Sequence, residues 1–310
     1  MLGFSIGPLL GGALTHFVGW RAIFWLNALV MLASAGGLLP ASDKVAGQSV
    51  GRLIGFDWAG FLLLATLMTS LIFALRALPE VRSEPVAFAA PLLLAGAAFA
   101  CLLQVERRVR EPLLDLSLFG KTQFVRGVAI SALSMFSILA LLLYFDLDAQ
   151  SPAGLDFTAI DAGLLLLPMS AGLLAFAFAA PGLAARLGLR NTLVCGMLLA
   201  VIASAIVAAA AAGAALLPLS AGLFAIGAGL AVPYATGPRL ALSALSPGQT
   251  GQGSGIVNAC TFLGGSIGVA GGDIAFALGG FAAVMALIGV AGIIGAWLCR
   301  TIAATDGTAG

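Results

Sequence analysis

Charge is what this 310-residue sequence has least of: 14 basic and 13 acidic side chains make up 9% of it, against about 25% in an ordinary globular domain. A water-soluble fold of this length needs a polar exterior, and so few charges, gathered in a few clusters, cannot cover so large a core. The shortage excludes a soluble domain and leaves lipid as the solvent for most of the chain. Histidine occurs once, at His16. A lone imidazole cannot make a metal site, and near the outer end of the first apolar run it reads as an interfacial residue. The four cysteines, Cys101, Cys195, Cys260 and Cys299, stand far apart inside apolar runs, so neither a CxxC pair nor a disulfide ladder is on offer, and they read as small apolar packers. Neither metal nor cofactor is called for. With a net charge of +1 and a pI near 7.7, there is no basic footprint for nucleic acid.

What is present is apolar sequence, 61% of the residues, with a mean hydropathy of +1.12. A spanning helix needs about 20 mostly apolar residues. Ten such runs can be drawn: Leu2–Val18, Ala22–Leu39, Trp58–Leu75, Val86–Val105, Val128–Phe145, Ala162–Leu183, Thr192–Ala212, Leu216–Leu240, Ile256–Ala277 and Phe281–Leu298. Unpaired backbone groups cannot face hydrocarbon, and no run shows the alternation of a membrane barrel strand. The expected fold is all-α, a polytopic transmembrane helical bundle of about ten spans.

Lys and Arg in the connections set orientation. If ten spans alternate, Lys44, Arg52, Arg107, Arg108, Arg110, Lys121, Arg126, Arg186, Arg190, Arg239 and Arg300 share one side, and only Arg21, Arg76 and Arg82 lie opposite. The opposite side also carries Asp146, Asp148, Asp156 and Asp161 in a connection without Lys or Arg. Both termini are therefore expected in the cytoplasm, and the protein in the cell (inner) membrane. Polar connections at 40–57 and 106–122 divide the chain into a helical pair at 1–39, a second pair at 58–105, a six-helix block at 123–300 and a tail at 301–310.

The first run reads Gly3-Phe4-Ser5-Ile6-Gly7-Pro8-Leu9-Leu10-Gly11-Gly12. Gly3, Gly7 and Gly11 fall on one helical stripe, which lets two backbones approach, and Pro8 bends the helix beside it. Trp20-Arg21-x-x-Phe24-x-x-Asn27 follows. Together these residues resemble the antiporter signature of the fourteen-span drug/proton antiporters of the major facilitator superfamily, G-x-x-x-G-P-x-x-G-G followed by W-R-x-x-F-x-x-N. The resemblance continues through Asp57-Trp58-x-Gly60, Pro112-Leu113-Leu114-Asp115-Leu116-x-Leu118-Phe119, Ala162-Gly163 with Pro168, and Gly251-x-Gly253-Ser254-Gly255-x-Val257-Asn258 leading into Gly264-Gly265-x-x-Gly268.

The resemblance implies an exporter of hydrophobic or cationic small molecules in exchange for protons, working by the rocking of two bundles around a central cavity. It makes 1–39 the last two helices of the N-terminal bundle, 58–105 two extra central helices and 123–300 the C-terminal bundle. The family has four spans ahead of the signature helix, so the chain looks truncated. Leu183-Ala184-Ala185-Arg186-Leu187-Gly188-Leu189-Arg190 resembles the family's loop motif L-a-D-R-x-G-x-R, with Ala185 in the place of its acid. That puts a gating salt bridge there in doubt.

An Asp at mid-bilayer costs about 2.5–3.5 kcal/mol and persists only when paired, protonated or wetted. Asp273, in the ninth run, is the clear case, read either as a proton or cation group or as an acid wetted at the outer mouth. Asp146 and Asp148, beside Tyr144, read as attractors for cationic substrate or protons, or simply as a solvated helix end. The stripe Gly3, Gly7, Pro8, Gly11 and Gly12 is expected to seal against the Pro168 helix, with Gly163 and Gly172 at the contact.

Two other classes of function stand beside transport. One is a transport-incompetent membrane remnant or binding subunit. The other is an intramembrane serine hydrolase, since G-x-S-x-G occurs around Ser5 and Ser266. Such an elbow needs a strand-to-helix turn and a base in reach, whereas His16 would stand about 16 Å along the helix from Ser5.

Overall fold

The computed structural model describes Gly7, Leu10, Gly11, Leu14, Thr15 and residues 17–45, 57–78, 80, 81, 83–106, 116–152 and 154–302. Gly3, Pro8, Gly12, Ser5 and His16 lie outside the described residues. Among the described residues there is no strand, and the chain is an all-α membrane bundle. Its helices are α1 (Arg21–Val45), α2 (Trp58–Ala77), α3 (Pro85–Glu106), α4 (Thr122–Ala149), α5 (Ala159–Leu165), α6 (Leu167–Leu187), α7 (Leu189–Ala212), α8 (Leu216–Leu242) and α9 (Thr250–Arg300). Helices α5 and α6 run on as one apolar stretch, Ala159–Leu187, and seven helices are long and apolar enough to cross a membrane.

The 51 residues of α9 would reach about 75 Å if straight, more than twice the hydrocarbon thickness of a bilayer. The helix instead breaks at Gly279 and at Gly280, where φ is 63° and ψ −157°, a conformation open essentially to glycine alone. Its two arms fold back on each other: Leu287 Cδ2 lies 3.5 Å from the position a Cβ on Gly271 would take. In a straight helix those residues would stand about 24 Å apart. The sequence expectation of two spans, Ile256–Ala277 and Phe281–Leu298, thus corresponds to the two helical arms joined at the non-helical pair Gly279 and Gly280.

Lipid offers no hydrophobic drive between helices, so the bundle coheres by close contact of small residues. Gly172 of α6 sits against the Phe224 carbonyl of α8, and Gly227 of α8 against the Met169 carbonyl of α6. On α9, Gly264 and Gly268 rest on the carbonyls of Ala132 and Phe136 of α4. Several Ser and Thr hydroxyls inside the spans are satisfied along their own helix. Ser131 donates to Gly127 O at 2.8 Å, Ser134 to Ile130 O at 2.8 Å and Thr236 to Val232 O at 2.7 Å, which removes the cost of an unpaired polar group in a dry interior.

The motif residues brace helix ends. Arg21 stacks over the Trp20 ring, 4.7 Å from its centroid, and Trp20 meets Phe24 edge-on at 5.8 Å. Asp57 caps α2 by accepting from Gly60 N at 2.8 Å, and Gly60 leaves room for Glu106 Oε1 at the far end of α3, 3.2 Å from where its Cβ would be. The α2–α3 pair is thereby pinned at the end expected to face the cytoplasm.

Candidate functional site

Asp273 lies on the first arm of α9, one residue after Gly272. That glycine has no side chain to hold α4 away, so the Tyr144 ring of α4 lies on the α9 backbone; a Cβ at 272 would collide with its Cε2 atom. Tyr144 is 3% exposed. Its hydroxyl donates to Val269 O at 2.8 Å, one helical turn before Asp273, and stands within electrostatic and hydrogen-bonding reach of the Asp273 carboxyl. Phe276 covers the other part of the ring, with centroids 5.5 Å apart. The phenol can donate to Val269 O or to an ionised Asp273, and its oxygen can accept from a protonated one.

Asp273 itself is exposed, on the wall of a cavity of about 440 Å³. Arg76 of α2, Tyr144 and Ser266 supply its polar groups, and Leu139 and Val269 belong to its apolar wall. A second cavity of about 630 Å³ shares Leu139 and Val269 and contains Asp146 and Gln150 of α4, Gly163 of α5, and Gly11 and Thr15 of the signature segment. Both cavities thus meet at the end of the bundle that carries the acidic residues. The arrangement can hold a proton on Asp273, attract a cation through Asp146, and receive apolar groups between them. Asp148 is half-buried near the end of α4 and is not among the residues lining either cavity.

The glycine-rich interface takes a different shape from the expected one. Gly11 and Gly163 line the same cavity, and nothing lies within 4 Å of a Cβ built on Gly7 or Gly11. Gly172 turns away: nine steps of about 100° put it on the opposite face from Gly163, where it meets Phe224. Pro168 borders a separate groove with Asp161, Leu216 and Ser220. Of the three, Gly163 is the one that shares a cavity with Gly11. Sequence reading passed over Tyr144 and Gly272 as a pair, and also Arg76. The i, i+4, i+8 spacing of Gly264, Gly268 and Gly272 was the available signal.

Ser266 sits mid-helix and donates back to Phe262 O at 3.2 Å, without the strand-to-helix turn of a nucleophile elbow. Arg186 and Arg190 are exposed on either side of Gly188, whose φ of 78° turns α6 into α7.

A family model described as "Major Facilitator Superfamily" matches residues 1–269. Among curated proteins, the multidrug resistance protein Stp of Mycobacterium tuberculosis is 28% identical over 273 residues, 87% of this chain and 49% of that protein. The tetracenomycin C resistance and export protein of Streptomyces glaucescens is 30% identical over 196 residues, 63% of this chain and 36% of that one. The lincomycin resistance protein of Streptomyces lincolnensis is 29% identical over 316 residues, covering 93% and 62%. The chain spans about half the length of the curated relatives it matches.

Proposed function

The chain belongs to the major facilitator superfamily, and on that premise we propose that it forms part of a secondary transporter that exports hydrophobic or cationic small molecules in exchange for protons. The observation that carries the reading is Asp273 on the wall of one cavity beside a second that holds Asp146. A carboxyl in a membrane span can load and release a proton at little structural cost when it has a neutral partner, and the Tyr144 hydroxyl is such a partner. The names of the relatives, resistance and export among them, support the substrate class. The activity is assigned to a transporter containing this chain together with the four spans that precede the signature helix in the family. Gly3, Gly7, Pro8, Gly11 and Gly12 serve in it as the smooth face that closes toward Gly163 as the two bundles rock. Pro168 and Gly172 act on the other side of that helix.

The cycle follows from carboxylate chemistry. Ionised Asp146 draws a cationic substrate, and the proton taken up by Asp273 is exchanged for it, so the proton gradient drives net export. The membrane assigned is the cell (inner) membrane, with both termini cytoplasmic. Dye efflux from energised vesicles tests the reading, comparing the chain alone, the chain extended by the four upstream spans, and Asp273→Asn in the active form. Proton-coupled efflux lost in Asp273→Asn is expected. Efflux indifferent to the substitution removes Asp273 from the mechanism, and efflux from neither form favours a binding subunit or a transport-incompetent remnant.

A further inference from the structure

The α2–α3 pair meets the six-helix bundle chiefly along α9, and at one end of that contact α2 presents a cation to the acid already described. Arg76 and Asp273 line the same 440 Å³ cavity, one from each body. We propose that Arg76 is the counter-charge of ionised Asp273, and that the two form a proton-controlled latch holding the α2–α3 pair against the C-terminal bundle. This inference rests on the reading of Asp273 as the proton-carrying group.

Three features on the page carry it. The first is composition: among the described residues lining the cavity, Arg76 of α2, Tyr144 of α4 and Asp273 of α9 are the titratable ones, with Ser266 the remaining polar side chain. No second cation competes for Asp273 and no second acid for Arg76 inside it. Glu80 and Glu84 are exposed in the turn after α2, and Asp146 borders the neighbouring cavity. The second is the wall, formed by Ile72, Leu75, Leu139, Val269 and Ala270, which is apolar and offers neither charge another partner. The third is the hydrogen-bond state of Tyr144. Its hydroxyl meets Val269 O at 2.8 Å and is within hydrogen-bonding reach of Asp273, so it steadies the carboxyl on the cavity wall as a donor to the ionised form and an acceptor from the protonated one.

Asp273 therefore attracts Arg76 in only one of its protonation states. Ionised, it is drawn to the guanidinium of Arg76, and the pair closes the cavity between α2 and α9. Protonated, it donates to Tyr144, Arg76 loses its counter-charge and turns to water, and the cavity opens. The latch is closed at high pH and open at low pH. Proton loading is thereby coupled to the seating of the central helical pair, which gives those two helices a role in transport beyond filling space.

The test reads the cavity itself and needs no transport. A single reporter, Ser266→Cys, is placed in a full-length chain with Cys101, Cys195 and Cys260 replaced by alanine and buried Cys299 retained, and reconstituted in nanodiscs. Its rate of reaction with N-ethylmaleimide is followed from about pH 8 to about pH 5. Ser83→Cys, exposed in the α2–α3 turn, corrects for the ordinary pH dependence of a thiol. The corrected rate is expected to rise about fivefold or more as pH falls, the scale of a typical coupling between sites. Arg76→Gln and Asp273→Asn should each be fast at every pH, and the exchange Arg76→Asp with Asp273→Arg should restore the pH dependence. A parent rate flat with pH, or a pH dependence that survives Arg76→Gln, overturns the latch. Proton-coupled efflux lost in Asp273→Asn would leave the transport reading standing in either case. Efflux untouched by Asp273→Asn would remove that reading whatever the labelling shows.

Discussion

The ring of Tyr144 rests directly on the backbone of Gly272, 128 residues away in sequence, and this contact sets the hydroxyl beside Asp273. Gly272→Ala would drive a methyl group into ring atoms of a buried side chain held between Gly272 and Phe276. Overpacking of this kind costs about 1–3 kcal/mol, so a lowered midpoint of thermal unfolding in detergent is expected. Gly255→Ala, where nothing lies within 4 Å, should leave the midpoint unchanged or slightly raised. Equal behaviour of the two variants would show that the contact contributes nothing.

Tyr144→Phe separates the ring from its hydroxyl. The packing on Gly272 and Phe276 is kept, and the hydrogen bond to Val269 O is lost. Because that carbonyl already accepts within its helix, the expected loss of stability is small, about 1 kcal/mol. Proton-coupled efflux by the complete transporter should fall much more, since a neutral Asp273 loses the oxygen that receives its hydrogen. A variant with full efflux would mean that the hydroxyl serves only to brace α4 on α9.

Much of the fold was legible because lipid imposes a simple rule on composition. The apolar run Trp58–Leu75 became a helix ending two residues later at Ala77. Helix α4 was expected from Val128 but begins at Thr122: Gln123 and Arg126 end the apolar run without ending the helix, which continues on into the polar interface. The opposite faces of Gly163 and Gly172 were legible in principle, since the angle per residue alone separates them. Asp273 stood out as an acid in an apolar run. Its surroundings did not, because Tyr144, Gly272 and Arg76 come together only when three helices from distant parts of the chain are packed, and no local pattern encodes that juxtaposition.

Gly280 tests the bend in α9 by strain rather than by space. A Cβ there meets nothing within 4 Å, yet φ is 63° with ψ at −157°, a region that costs a residue with a Cβ about 1–3 kcal/mol. Gly280→Ala should therefore lower the unfolding midpoint although no atom is displaced. Gly279→Ala acts by space instead, since a Cβ there would stand 3.0 Å from the Cβ of Ala283, which has no rotamer to move away. An unfolding midpoint unchanged in Gly280→Ala would place the strain elsewhere in the hairpin.

Orientation is tested by reagents that cannot cross the membrane. Ser83 is exposed in the turn between α2 and α3, and Ser246 is exposed between α8 and α9. The distribution of Lys and Arg sends the first turn outward and the second inward, because positive charge is retained on the cytoplasmic side. In intact cells a cysteine at 83 should react with an impermeant maleimide, and one at 246 should react only after the cells are permeabilised. The four native cysteines lie within helices, and a background with the exposed Cys101 and Cys195 replaced keeps the signal specific. Both positions labelled from outside would mean that the number of crossings between them is even, which would end the alternating arrangement read from Lys and Arg.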